Sequence, residues 1–136
     1  MTDRHVPTPT PETAHFWDGT RHGELRLQRC RSCDDAYFPP RPFCPRCHSR
    51  DVEVLAASGR ATLYSYVISH RPPPGFEAPF AIAVVELEEG PRMMTNLVDV
   101  EPVPEELPLD LALEVVFEPL TDEITLPLFR PAGVAR

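Results

Sequence analysis

The 136-residue sequence has no lysine; all thirteen of its basic residues are arginine. That excludes Schiff-base chemistry on a lysine amine. No run of about 18 apolar residues occurs, which excludes a helical membrane span. Met1-Thr2-Asp3-Arg4-His5 lacks the apolar core of a secretory signal. There is no glycine-rich phosphate loop and no Gly-x-Ser-x-Gly nucleophile elbow. Only His70, of five histidines, lies in the second half of the chain. The chain is therefore poorly equipped for catalysis of its own, and no residue is assigned a catalytic role. The missing signal and the paired cysteines place it in the cytoplasm, where such pairs are more often metal ligands than disulfides.

Only four cysteines are present, in two pairs: Cys30-Arg31-Ser32-Cys33 and Cys44-Pro45-Arg46-Cys47. Each pair has two residues between its cysteines, and ten residues separate the pairs. This spacing brings four thiolates around one tetrahedral metal ion, Zn²⁺ first and iron as its rival. Four thiolates leave no open coordination position, so the expected role is structural. His48, beside the second pair, is not needed as a ligand. The residues after the pairs, Asp34 and His48, occupy positions that often need positive φ, and both are types that tolerate it.

The formal charge is −8, or −10 with four thiolates (−4) and one Zn²⁺ (+2) counted. Residues 21–50 carry seven arginines against three acids, giving +4. Residues 51–136 carry five arginines against fifteen acids, giving −10. Arg29, Arg31 and Arg46 flank the cysteines and are expected to offset the cluster's charge, or to contact a partner.

Residues 1–10 are polar, punctuated by Pro7 and Pro9, and are expected to form a flexible leader or linker. Thr10-Pro11-Glu12 reads as a helix start with Thr10 as N-cap, and Gly19 or Gly23 as the stop. Leu25 and Leu27 alternate with Arg26 and Gln28 as a strand into the first cysteine pair. Tyr37–Pro42 reads as an extended link, and Val52, Val54 and Leu55 as a returning strand. Helix and ribbon together span residues 11–57.

Beyond Ser58-Gly59, five β-type runs follow with almost no helix signal: 61–69, 80–87, 93–100, 113–117 and 125–129. The first is expected to place Leu63, Ser65 and Val67 on one face, with Tyr64, Tyr66 and Ile68 on the other. Pro127 puts the fifth at an edge or a bulge. Five short strands over 58–136 predict a small barrel, most economically an OB-fold. The fold class is mainly β: a short N-terminal helix, a zinc ribbon and a five-stranded OB-fold barrel.

The order of these features resembles the DUF35 family. The resemblance rests on Phe16-Trp17, on Cys30-x-x-Cys33, Pro39-Pro40-Arg41 and Cys44-Pro45-x-Cys47, on Glu89–Leu97, and on Leu126-Pro127-x-Phe129-x-Pro131. It covers residues 11–131, with Asp34 and His48 replacing glycines often found after the knuckles. It implies a rubredoxin-like zinc ribbon followed by an OB-fold, in an accessory module that accompanies thiolase-fold proteins, including lipid-transfer-type homologues, and sometimes MaoC-like hydratases. Such assemblies act on acyl-CoA thioesters, and the most specific implied activity is retro-aldol cleavage in steroid side-chain breakdown. A thiolase or hydroxymethylglutaryl-CoA-forming assembly is the alternative.

Seven further residues are candidates for contact with a partner or with CoA: Phe16, Trp17, His70, Arg71, Phe76, Arg92 and Asn96. Phe16 and Trp17 either pack on the chain's own body or anchor a partner. His70 and Arg71 open a proline-stiffened loop that carries Phe76; it either docks a partner or is an ordinary solvated connection. Arg92 suits a bidentate grip on phosphate or carboxylate, or else pairs with Glu88 or Glu89. Asn96 is either a polar group of the barrel site or a satisfied edge amide. Binding of single-stranded nucleic acid through Tyr64, Tyr66, Phe76 and Phe80 is opposed by the −10 of residues 51–136.

Overall fold

The computed structural model describes residues 6–133. Of the expected leader, residues 1–5 lie outside the described residues, and residues 6–10 carry no regular structure. The helix α1 covers Ala14–Arg21. It begins later than the Thr10 cap implies, because Thr10 and Thr13 satisfy one another. Thr13 N donates to Thr10 O at 3.0 Å, and Thr10 N donates to Thr13 Oγ1 at 2.8 Å. The segment between them is a separate turn, and the N-cap is Thr13, whose side chain makes no capping bond to the helix. Past His22 the chain turns at Gly23, with φ of 76°, where glycine escapes the Cβ clash of the left-handed region.

Three strands build the ribbon: β1 (Arg26–Cys30), β2 (Ala36–Tyr37) and β3 (Val52–Ala56), in the order β2-β1-β3, all antiparallel. The segment 37–42 is less extended than its sequence implies. Tyr37 pairs with Gln28, and Gln28 Oε1 accepts from Arg41 N at 2.6 Å. The Tyr37 hydroxyl donates to Arg41 O at 3.0 Å. The buried Gln28 amide thereby fastens the link to β1, as a buried polar group requires.

Five strands follow: β4 (Arg60–Ser69), β5 (Phe80–Leu87), β6 (Arg92–Asn96), β7 (Ala112–Pro119) and β8 (Thr125–Pro131). Their order is β6-β5-β4-β7-β8, with every pair antiparallel. β6 and β8 are brought together by a single parallel bridge, Leu97 with Phe129, so the barrel is nearly closed. β6 stops at Asn96, short of the expected Val100, because Leu97 turns to make that bridge. Pro127 lies on β8, an outer strand of the sheet order, where a missing N–H is tolerated.

The face assignment of β4 is corrected by a bulge. The register with β5 slips between Leu63 and Ser65, leaving Tyr64 as the extra residue. Before it, Ala61 and Leu63 are buried. After it, Tyr66 and Ile68 pack on the core while Val67 is 59% exposed. One inserted residue shifts the period-2 pattern by one, exchanging the faces for the rest of the strand.

Helix, ribbon strand and barrel share one core. Phe16, Leu25 and Leu27 belong to the same buried cluster as Leu63, Val85, Leu113 and Phe129. The connection between ribbon and barrel is held at Gly59, with φ of 85°. Gly59 O accepts from Val115 N at 2.8 Å, and a Cβ at Gly59 would lie 2.7 Å from Val115 Cγ1. Gly59→Ala is therefore expected to cost about 1–3 kcal/mol through left-handed strain and this clash. An unchanged denaturant midpoint would contradict that. Among the described residues no helix is long and apolar enough to cross a membrane.

Candidate metal centre and the surfaces around it

The two cysteine pairs sit on two tight knuckles. Asp34 N donates to Cys30 O at 2.8 Å and His48 N to Cys44 O at 2.9 Å. Asp34 and His48 take φ of 63° and 66°, the conformation their positions demand. The knuckles bring all four Sγ atoms within 4.8 Å of one another. Cys30 and Cys47 sulfurs lie 3.5 Å apart, and Cys33 and Cys44 sulfurs 3.7 Å apart. A tetrahedron of thiolates about 2.3 Å from one ion has edges of roughly 3.8 Å, so the set fits a single metal ion without rearrangement. The Cys44 sulfur also accepts from the backbone N–H of Arg46 at 3.3 Å and of Cys47 at 3.5 Å. Such N–H groups stabilise thiolate charge and fix ligand direction.

The four sulfurs differ in how readily they ionise. Burial pushes the Cys30 thiol up, but hydrogen bonds from Cys33, Cys47 and Ser32 outweigh it and bring it down to about 7. Burial opposes ionisation of Cys44 as well, and the Cys47 and Arg46 N–H groups again leave it lowered. Cys33 is helped by the Asp35 N–H, but burial and the neighbouring sulfurs carry it up to about 12. The two buried sulfurs are thus the readier to ionise and Cys33 and Cys47 the less ready; a bound cation favours the thiolate form of all four.

The flanking arginines also pair with carboxylates. Arg29 is opposite Glu53 in the β1–β3 register, and its Nη2 lies 2.6 Å from Glu53 Oε2. Arg31 reaches Asp51 at 2.9 Å and Glu53 at 3.1 Å. Arg46 lies 3.8 Å from Asp35. These carboxylates lie on β3, just before it, and just after the first knuckle. Arg29, and then Arg31, hold the Glu53 carboxyl below its usual range.

The remaining candidates divide into three places. Phe16 is 4% exposed, in the core, with Trp17 edge-on at 5.0 Å and Phe38 at 5.2 Å. Its ring is occupied by the chain's own packing, whereas Trp17 is only half-buried. Phe16, Trp17, Phe38, Met94, Asn96 and Leu126 line a hollow of about 250 Å³ over the β6–β8 seam. Asn96 Nδ2 donates to Ala81 O at 3.0 Å, so the amide is satisfied. Asn96 also borders a second hollow of about 350 Å³, with Phe76 and Phe80, whose rings stack at 4.8 Å. The seam therefore brings together Phe16, Trp17, Asn96 and Phe76. His70 and Arg71 stand exposed at the head of the proline loop and line neither hollow. Arg92 lines neither hollow: its guanidinium lies 3.8 Å over the Tyr64 ring and 3.6 Å from Glu86, rather than from Glu88 or Glu89. Met94, 71% exposed, was missed. The signal was available, since in Met93-Met94 on a strand with one buried face, one of the two must point outward.

Two family models match this chain: the ChsH2 rubredoxin-like zinc ribbon domain over residues 17–53 and the ChsH2 C-terminal OB-fold domain over residues 55–118. The chain belongs to the ChsH2/DUF35 family. A DUF35 domain-containing scaffold protein of Methanocaldococcus jannaschii is 37% identical over 98 residues, covering 70% of this chain and 68% of that protein. A Thermomonospora curvata protein named "Probable enoyl-CoA hydratase alpha subunit" is 39% identical over 130 residues. The match takes in 95% of this chain but 40% of that protein, so the chain spans well under half of that relative's length. Among solved structures, a chain of the Ltp2-ChsH2(DUF35) aldolase superposes with a TM-score of 0.83 at 37% identity. That superposition covers 93% of this chain and 99% of the other.

Proposed function

We propose that this DUF35 chain is the zinc-holding accessory subunit of a complex that processes acyl-CoA thioesters with a thiolase-fold partner. In its most specific form the complex cleaves a β-hydroxyacyl-CoA of a steroid side chain by a retro-aldol reaction. The observation that carries this reading is the end-to-end likeness, at 37% identity, to the DUF35 chain of an aldolase. Zn²⁺ is the expected ion because a closed set of four thiolates suits it. Cys30, Cys33, Cys44 and Cys47 hold it; its contribution is to fold the ribbon. The partner supplies the acid–base groups that deprotonate the hydroxyl and stabilise the departing enolate. The chain's role is to hold the partner in its active shape, with the half-buried Trp17 and the apolar seam beside Asn96 as contact surface for the partner or for the pantetheine arm.

The hydratase-type relative favours a second reading, in which the partner is a MaoC-like hydratase fold. Co-expression separates the two. The chain is purified with a thiolase-fold lipid-transfer homologue, or with a MaoC-like protein, and turnover of a β-hydroxyacyl-CoA and of an enoyl-CoA is measured. The expected result is a zinc-containing complex with the thiolase-fold protein that cleaves the β-hydroxyacyl-CoA, neither part being active alone. A thiolase-fold partner fully active by itself would sink the accessory-subunit reading, and hydration only with the MaoC-like protein would favour the second.

A further inference from the structure

The arginines of this acidic chain are not paired evenly. Seven of the eleven described arginines sit within 3.6 Å of a carboxylate. With 21 acids in the chain, that is the expected outcome. The second knuckle departs from it. Arg41 and Arg50 bracket the knuckle, are exposed, and have no carboxylate partner among the described residues. Arg46, at its tip, is 74% exposed and reaches only Asp35, at 3.8 Å. Between them lies Phe43, half-buried, with the Arg50 guanidinium 6.0 Å from its ring centre and His48 edge-on at 6.3 Å. The backbone beneath is rigid: Cys44 N donates to Ser49 O at 2.8 Å, and Arg41 is tied at both its N–H and its carbonyl.

We propose that the second knuckle, through Arg41, Arg46 and Arg50 around Phe43, is a docking surface for an acidic patch on a partner protein. Charge complementarity is the argument. Two guanidiniums clear of the chain's own carboxylates, and a third held only by a 3.8 Å contact with Asp35, offer forked donors that match carboxylates on another surface. Pro42, Pro45 and Phe43 add a stiff apolar centre, and Arg beside an aromatic is the composition of an interface anchor. A nucleic acid fits less well. Its phosphate charge continues along the strand, and the chain away from this knuckle is acidic, −10 over residues 51–136. A compact acidic patch meets the knuckle alone. The inference deepens the function proposed above, and rests on it for the partner's identity but not for the surface itself.

The test compares the full chain with R41E/R46E/R50E, and with R60E as a charge-reversal control on the exposed side of β4. Each is titrated against a glutamate-only peptide, a thymidine oligonucleotide and the co-expressed thiolase-fold protein, at low and at physiological salt. Metal content and far-ultraviolet circular dichroism show that the variants keep the ribbon. The triple reversal is expected to weaken both peptide and partner binding by at least about tenfold. R60E should leave both unchanged, and the oligonucleotide should bind more weakly than the peptide. Binding of the triple variant within about twofold of wild type, or tighter binding of the oligonucleotide than of the peptide, overturns the proposal. If wild type binds the peptide but not the thiolase-fold protein, and the triple variant loses the peptide, the surface stands and the partner assignment falls.

Discussion

Cys44→Ser is expected to yield a chain with almost no bound metal and an unfolded ribbon. Cys44 is fully buried, and its sulfur is the one that accepts the Arg46 and Cys47 N–H groups. Removing it deletes a quarter of the ligand set and the second knuckle's anchor together. The apparent binding energy of a structural zinc site is about 10–16 kcal/mol near pH 7 and acts as folding energy. The ribbon has little else: β2 is two residues long, and the salt bridges of Arg29 and Arg31 are largely exposed and individually weak. The damage should spread, because Leu25 and Leu27 of the ribbon lie in the same core as Leu63 and Phe129. A fall in melting temperature of about 10–20 °C is expected from the loss of several kcal/mol in a chain of this size. A strong chelator should reproduce it. Falling pH should reproduce it too, because protons compete for thiolates that are ligands only when deprotonated. Metal content of one ion per chain in the Cys44→Ser variant would refute the tetrathiolate site.

Much of this was legible because the decisive constraints are local. Two C-x-x-C pairs specify the knuckles by spacing, and Asp34 and His48 mark the two positive-φ positions beside them. The run 80–87 matches β5 end to end because its alternate residues are buried along its whole length. The features that escaped depend on a second partner far along the chain. Nothing in ATLYSYVIS marks Tyr64 as a bulge; the register is decided by how β4 meets β5. Arg29 and Arg31 look like counter-charges to the sulfurs until β3 places Glu53 and Asp51 beside them. Phe16 is equally plausible as anchor or core until the shared core shows where helix and barrel meet. Local signals bring the four cysteines together; the hollows over the β6–β8 seam are written in tertiary contacts.

Phe129→Ala is expected to be the most damaging single substitution in the barrel. Phe129 is 0% exposed and stands where the sheet closes on itself. Its carbonyl accepts from Val98 N at 2.9 Å, and its ring belongs to the cluster containing Leu63, Val85 and Leu113. Truncating a buried phenylalanine costs about 3–5 kcal/mol through lost burial and the cavity left behind. The loss falls where few bonds close the sheet. One is Thr95 Oγ1 donating to Pro127 O at 3.0 Å, where proline offers no N–H of its own. Against a total stability of about 5–15 kcal/mol, the loss is about a fifth or more. The urea midpoint should fall by about 2 M for a slope of about 2 kcal/mol/M. Thr95→Val keeps the seam's volume and removes only the hydroxyl, so about 1 kcal/mol is expected from it. Hydrogen exchange should show Phe129→Ala exposing the amides of β6 and β8 before those of β5, because β5 is paired on both sides. If Phe129→Ala costs no more than Thr95→Val, the barrel is not held by its core at the seam, and the β6–β8 hollow is a gap that the fold tolerates.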